Sequence, residues 1–167
     1  MNISEFKEES GWPCWTWSNQ VSTPLGRFRV ELQTLESPRT EPDDEMVKLA
    51  EELVAYAESH GDYILDVAYG DFRRWTTVDP GWLDSCGLPQ NLGRDAIPKH
   101  VGGCVLTVIR DLDSDDPYTS LVRIVPEWDD EHGLEMKLRD GAIVEVSDMP
   151  FTLKGGVLVF EEEGEDE

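Results

Sequence analysis

Basic residues are scarce in this chain: 14 Lys and Arg stand against 36 Asp and Glu, a formal net charge of −22 with an isoelectric point near 4.2. A field of that sign repels nucleic acid and anionic membrane, so neither is an expected direct partner. Long apolar runs are also missing. No stretch approaches the roughly 20 residues needed to cross a bilayer. Met1–Ser10 (MNISEFKEES) lacks the basic and apolar regions of a signal peptide, which sets the cytoplasm as the expected location. Cysteine is limited to Cys14, Cys86 and Cys104. An odd number without CxxC spacing suits neither a disulfide framework nor a cysteine-rich zinc site, and free thiols are expected. GxSxG, P-loop and GxGxxG signatures are absent, so no cofactor is expected.

What is present suffices for a core. Hydrophobic residues make up 39% of the 167, with six Trp, five Phe and four Tyr. That length suits one domain better than two. The expected organisation is a single domain over 1–160 followed by a disordered acidic tail, 161–167. The tail holds six acids, so 30 acids remain against 14 bases and the body still carries −16. High negative charge also serves solubility. On a folded body it favours basic protein surfaces and speeds encounter with them.

Apolar periodicity divides the body into elements. Trp15 and Trp17 alternate with polar neighbours in Trp12–Val21, and Phe28, Val30 and Leu32 alternate in Leu25–Thr34. With a turn at Ser22-Thr23-Pro24, the two segments are predicted to pair as an antiparallel hairpin. Thr40 is the expected N-cap of a helix reaching about Ser59, with Met46, Ala50, Leu53 and Ala57 on one face and Gly61 as terminator. Asp62 is expected to cap a second helix carrying Ile64, Leu65, Ala68, Phe72 and Trp75. Thr76–Lys99, rich in Pro, Gly, Asp and Asn, reads as a long connection with helical turns at Trp82–Cys86 and Asp95–His100, and long connections often carry function. Strands follow at Cys104–Arg110, Thr119–Glu127, Leu134–Arg139 and Ala142–Val146, with Asp140-Gly141 as a two-residue hairpin turn and a last strand or hairpin around Gly155-Gly156. The expected fold class is α+β, an antiparallel β-sheet with two central helices packed on one face.

Two loops concentrate chemistry-bearing residues. Asp111, Asp113, Asp115 and Asp116 could offer oxygens to a hard cation, yet the sixth position from Asp111 is Asp116 instead of Gly and the twelfth is Val122 instead of Glu. The run reads more simply as a solvated hairpin loop, and Asp111, Asp113 and Asp115 remain weak metal candidates. Trp128-Asp129-Asp130-Glu131-His132-Gly133-Leu134 sets an aromatic, three carboxylates and an imidazole in one turn. A His beside carboxylates can act in acid–base or metal chemistry, but His60 and His100 supply no HExxH partner. The structural alternative is a turn with Trp128 in the core, Asp129 or Asp130 accepting backbone N–H groups, and Gly133 in an unusual conformation. Arg73, Arg74 and Trp75 read as a helix-end charge and a core ring. Trp12, Trp15 and Trp17 are candidate interface anchors, although strand aromatics more often fill a core.

The block Trp128–Val146, W-D-D-E-H-G-L-E-M-K-L-R-D-G-A-I-V-E-V, resembles the C-terminal motif of uncharacterised bacterial domain families in which a W-D-x-E-H-G-L turn introduces a terminal β-hairpin. The resemblance extends in element order over Leu25–Val146, and its specific part is W-D-x-E-H-G-L-x-x-x-x-x-D-G. It implies a small acidic protein of the kind associated with immunity to bacterial toxins.

Three functional classes follow. The first is an immunity-like inhibitor presenting acidic and aromatic surface to a basic protein, with Trp12, Trp15, Trp17, Asp129, Asp130, Glu131 and His132 as candidate contacts and no catalytic residues. The second is a metal-assisted enzyme centred on Asp129–His132. The third is an acidic decoy imitating nucleic acid, which requires carboxylates in an extended row. The oligomeric state is not encoded in any pattern found.

Overall fold

The computed structural model describes residues 1–147 and the backbone of 151–154 and 157–160. After a 3₁₀ turn at Ile3–Glu5 come β1 (Phe6–Glu8), β2 (Cys14–Trp17), β3 (Val21–Thr23) and β4 (Gly26–Thr34). Helix α1 (Asp44–Val78) and the short α2 (Pro80–Ser85) follow, then a 3₁₀ turn at Arg94–His100. The second half is β5 (Val101–Arg110), β6 (Tyr118–Pro126), β7 (Leu134–Arg139) and β8 (Ala142–Val146), with β9 (Phe151–Lys154) and β10 (Val157–Phe160) pairing antiparallel as a separate ribbon. The expected acidic tail lies outside the described residues.

The fold is α+β. Its main sheet has eight strands, in the order β1-β2-β4-β5-β6-β7-β8, with β3 also paired to β4. The sheet is mostly antiparallel, but β4 and β5 run parallel, with Val30 opposite Leu106 and Leu32 opposite Val108. The β4–β5 pair is an exception to the expected antiparallel pattern. The 35-residue α1 lies between β4 and β5 in the chain, and such a crossover returns the second strand in the direction of the first.

One rung shows how alternation builds the core. Val30, Leu106, Val122, Met136 and Val146 are successive partners across β4 to β8, and each is 0% exposed. Helix α1 contacts β3, β4, β5 and β6. Its Met46, Ala50, Leu53, Ala57, Ile64, Leu65, Ala68 and Phe72 are all buried, following the helical period of the sequence.

Five local expectations are corrected. The two predicted helices are one element with a kink, where His60 leaves helical geometry at φ −122° and ψ 22°. Gly61 continues the helix past the kink, and a Cβ there would lie 2.7 Å from Cδ of Pro24. The N-cap is Asp43, whose Oδ1 accepts from Met46 N–H at 3.0 Å, while Thr40 and Glu36 belong to the surroundings of Arg110. Asp62 caps no helix and pairs with Arg94. The N-terminal ribbon is also more divided than a single hairpin: β2 and β3 pair separately with β4, and β1 adds to β2. By contrast, Asp140 and Gly141 form the β7–β8 turn with φ of 52° and 73°, as their types favour.

Candidate functional site

The turn between β6 and β7 is built around Trp128. Its ring is 0% exposed and meets Phe72 of α1 edge to face at 5.3 Å. Its Nε1–H donates to Oδ2 of Asp71 at 2.8 Å. Burial pushes the Asp71 carboxyl above the usual range, against the opposing pull of the Trp128 indole and Arg74. The backbone closes through Asp129 N–H to Pro126 O and Gly133 N–H to Asp129 O. The Asp129 carboxylate accepts from His132 N–H at 3.3 Å and lies 3.0 Å from His132 Nδ1. Gly133 has φ +73°, and a Cβ there would lie 2.9 Å from Ile124 O. The W-D-D-E-H-G-L signature is therefore largely turn architecture: Trp128, Asp129 and Gly133 have structural duties. Asp130, Glu131 and His132 are exposed, the His132 side chain by 80%.

Beside this turn lies an open groove of about 580 Å³, lined by Trp82, Ser85, Cys86, Gly102, Val125, Pro126, Glu127 and Asp130. Helix α2 supplies Trp82 and Ser85, with Asp79 capping it through Trp82 N–H. The Trp82 indole donates to Trp128 O at 2.7 Å, which joins α2 to the turn while leaving Trp82 40% exposed. Val125 is 43% exposed within an otherwise largely buried strand. Gly102 sits where the β5–β6 register shifts between Val101 and Gly103, so the groove wall there carries no side chain. Glu127 and Asp130 are exposed, and Oε2 of Glu127 lies 2.8 Å from Nδ1 of His100. Among the described residues, every charged one lining the groove is acidic.

The remaining candidates are dispersed. Trp12 is 73% exposed, but Trp15 is only 8% exposed and lies beneath Arg39, whose guanidinium carbon is 4.9 Å from its ring centre. Trp17 is half-buried, and its Nε1–H donates to Glu5 at 2.9 Å. These rings belong to the β1–β2 region, and β4 and β5 separate β2 from β6 in the sheet, so the structure does not join them to Asp129–His132. Asp111, Asp113 and Asp115 lie in the β5–β6 loop, where Asp111 Oδ1 accepts from Asp113 N–H at 3.1 Å. Asp116 pairs with Lys137 and Arg139. Among the described residues, no group of three or more His, Cys, Asp or Glu is placed to hold a metal ion. All three cysteines are free. Burial pushes the Cys14 thiol up to about 12 and the Cys104 thiol up to about 11, while Cys86 is half-exposed at the groove.

A family model described as a domain of unknown function, DUF6985, matches residues 2–150. The chain belongs to that family. The DUF6985 match spans α1, the groove and the Trp128 turn and stops short of the acidic tail. No curated protein and no solved structure matches the chain. Asp130 and the Thr76–Lys99 connection stand out in the sequence, but nothing in it marks Trp82, Cys86, Gly102 and Val125 as neighbours. An apolar residue in a strand carries no mark of exposure, and Gly102 looks like any strand glycine until the register shift is seen.

Proposed function

We propose that this DUF6985 domain is a binding module for a basic protein, acting in the cytoplasm as an immunity-like inhibitor of a basic toxin or a comparable basic partner. The groove carries this reading. It combines an exposed Trp and Val with charges of one sign only, on a body at −16. Exposed aromatic and apolar groups supply contact area that survives desolvation, and the acidic surroundings steer a basic surface toward it. The resemblance of Trp128–Val146 to immunity-associated families points the same way. The turn gives the enzyme reading one exposed Asp129–His132 pair, and among the described residues no further group is placed with it to hold a metal ion. The decoy reading needs the carboxylates to form one continuous row.

The immobilised full chain, exposed to native lysate at low salt, should retain a protein of basic net charge, with retention weakening as salt rises above about 0.15 M. Retention of no basic protein at either low or moderate salt contradicts the proposal.

A further inference from the structure

The groove's hydrogen-bonding inventory narrows the chemistry of what enters it. Its side-chain N–H and hydroxyl donors are committed: Ser85 Oγ–H donates to Trp82 O at 2.6 Å, and Trp82 Nε1–H to Trp128 O. Its acceptors are open. His100 engages Oε2 of Glu127, which leaves Oε1 without a hydrogen-bond partner among the described residues, and Asp130 has none on either oxygen. Among the described residues, no Lys or Arg lines the groove to neutralise these carboxylates. Open carboxylates beside an exposed indole, without free side-chain N–H or hydroxyl donors, call for a ligand that brings several donors and positive charge on a flat, weakly hydrated group.

We propose that the groove receives an arginine side chain of the partner protein, its guanidinium stacked against Trp82 and donating to the carboxylates of Glu127 and Asp130. This rests on the reading of the domain as a binder of a basic protein and adds the residue that is recognised. Arginine fits better than lysine: its planar fork presents five N–H donors and stacks on aromatic faces, whereas an ammonium is a strongly hydrated point charge. The pairing of guanidinium with carboxylate is also among the stronger charge-assisted hydrogen bonds. Gly102 keeps the entrance open. A Cβ built there meets only Val125 O at an ordinary 3.7 Å, so the first side-chain atom is accommodated, and a larger side chain would narrow the groove.

The test uses the full chain, ¹⁵N-labelled and titrated at low salt with capped hexa-arginine and hexa-lysine peptides. The expected result is that the Trp82 indole and the amides of Gly102, Val125 and Asp130 shift most. Hexa-arginine should bind at least about 5-fold more tightly than hexa-lysine. Asp130→Asn and Gly102→Leu should each weaken hexa-arginine by roughly 5- to 10-fold, while Glu52→Gln with Glu58→Gln on the exposed side of α1 should change it by less than about 2-fold. Asp130 is exposed, so its substitution remains informative if Gly102→Leu disturbs the fold. Equal affinity for the two peptides, or shifts centred away from the groove and insensitive to Asp130→Asn, overturns the arginine assignment and leaves basic-protein binding standing. Failure of both peptides to bind at low salt overturns both.

Discussion

Two buried sites dominate at the residue scale, Asp71 and the carboxylates held by Arg110, and their linkage to pH has opposite sign. Asp71 is buried beneath Trp128, and burial raises its carboxyl pKa. A raised carboxyl favours the folded state most below the ordinary Asp range, and that contribution is lost as pH rises through the folded value. The stability of the wild-type protein relative to Asp71→Asn should therefore fall as pH rises through this window, measured by urea unfolding at a series of pH values. Asp71→Ala also leaves the buried Trp128 N–H without an acceptor and should cost about 1–3 kcal/mol. Arg110 sets the opposite sign through its carboxylate partners. It is 5% exposed, its Nε donates to Glu36 at 2.6 Å and its Nη1 to Asp43 at 2.6 Å, and Tyr118 Oη–H also donates to Asp43. The Arg110 guanidinium holds Glu36 below the usual carboxylate range. Burial would raise Asp43, but the Met46 N–H, Arg110 and Tyr118 together lower it. Stability from these groups is present above the ordinary carboxylate range and lost as pH falls through the lowered values. Arg110→Met should cost about 3–5 kcal/mol at neutral pH, a deficit that shrinks in acid. The structural duties of Trp128, Asp129 and Gly133 were legible in the sequence as a local turn. The Asp71–Trp128 pairing was not, because its partners are 57 residues apart.

At the scale of elements, periodicity located α1, the β5–β8 strands and both helical turns of the connection, because each has a local apolar or turn pattern. Direction and continuity escaped it. Alternation does not distinguish a parallel strand from an antiparallel one, and Gly61 reads as a helix stop when its role is close approach to the β3–β4 turn. That role is testable. In an open helix, Gly→Ala gains up to about 1 kcal/mol of propensity. At Gly61 the methyl meets the Pro24 ring at 2.7 Å and Thr23 Cβ at 3.2 Å, both in a tight turn. Gly61→Ala should therefore be destabilising by about 1–3 kcal/mol, seen as a lower Tm with little change in helical circular dichroism. An increase in Tm would show that the turn yields to the helix.

For the whole molecule, charge is the governing quantity. A net −22 on 167 residues opposes compaction through self-repulsion, so the melting temperature should rise as salt increases from about 0.02 to 0.5 M. Binding to a basic partner should respond in the reverse sense, since the same ions screen attraction. Composition favours a basic partner, but the groove proposed to receive it is not legible in the sequence. Trp82 comes from the connection, Gly102 from a register shift in β5, Val125 from β6 and Asp130 from the turn, and only folding assembles them. The decisive comparison is side-by-side capture from native lysate by the wild-type chain and by the Trp82→Ala, Asp130→Asn double variant, with retained proteins identified by mass. A basic protein held by the wild type and lost from the folded variant is the expected result. The same basic protein held equally by both would place binding elsewhere and contradict the groove.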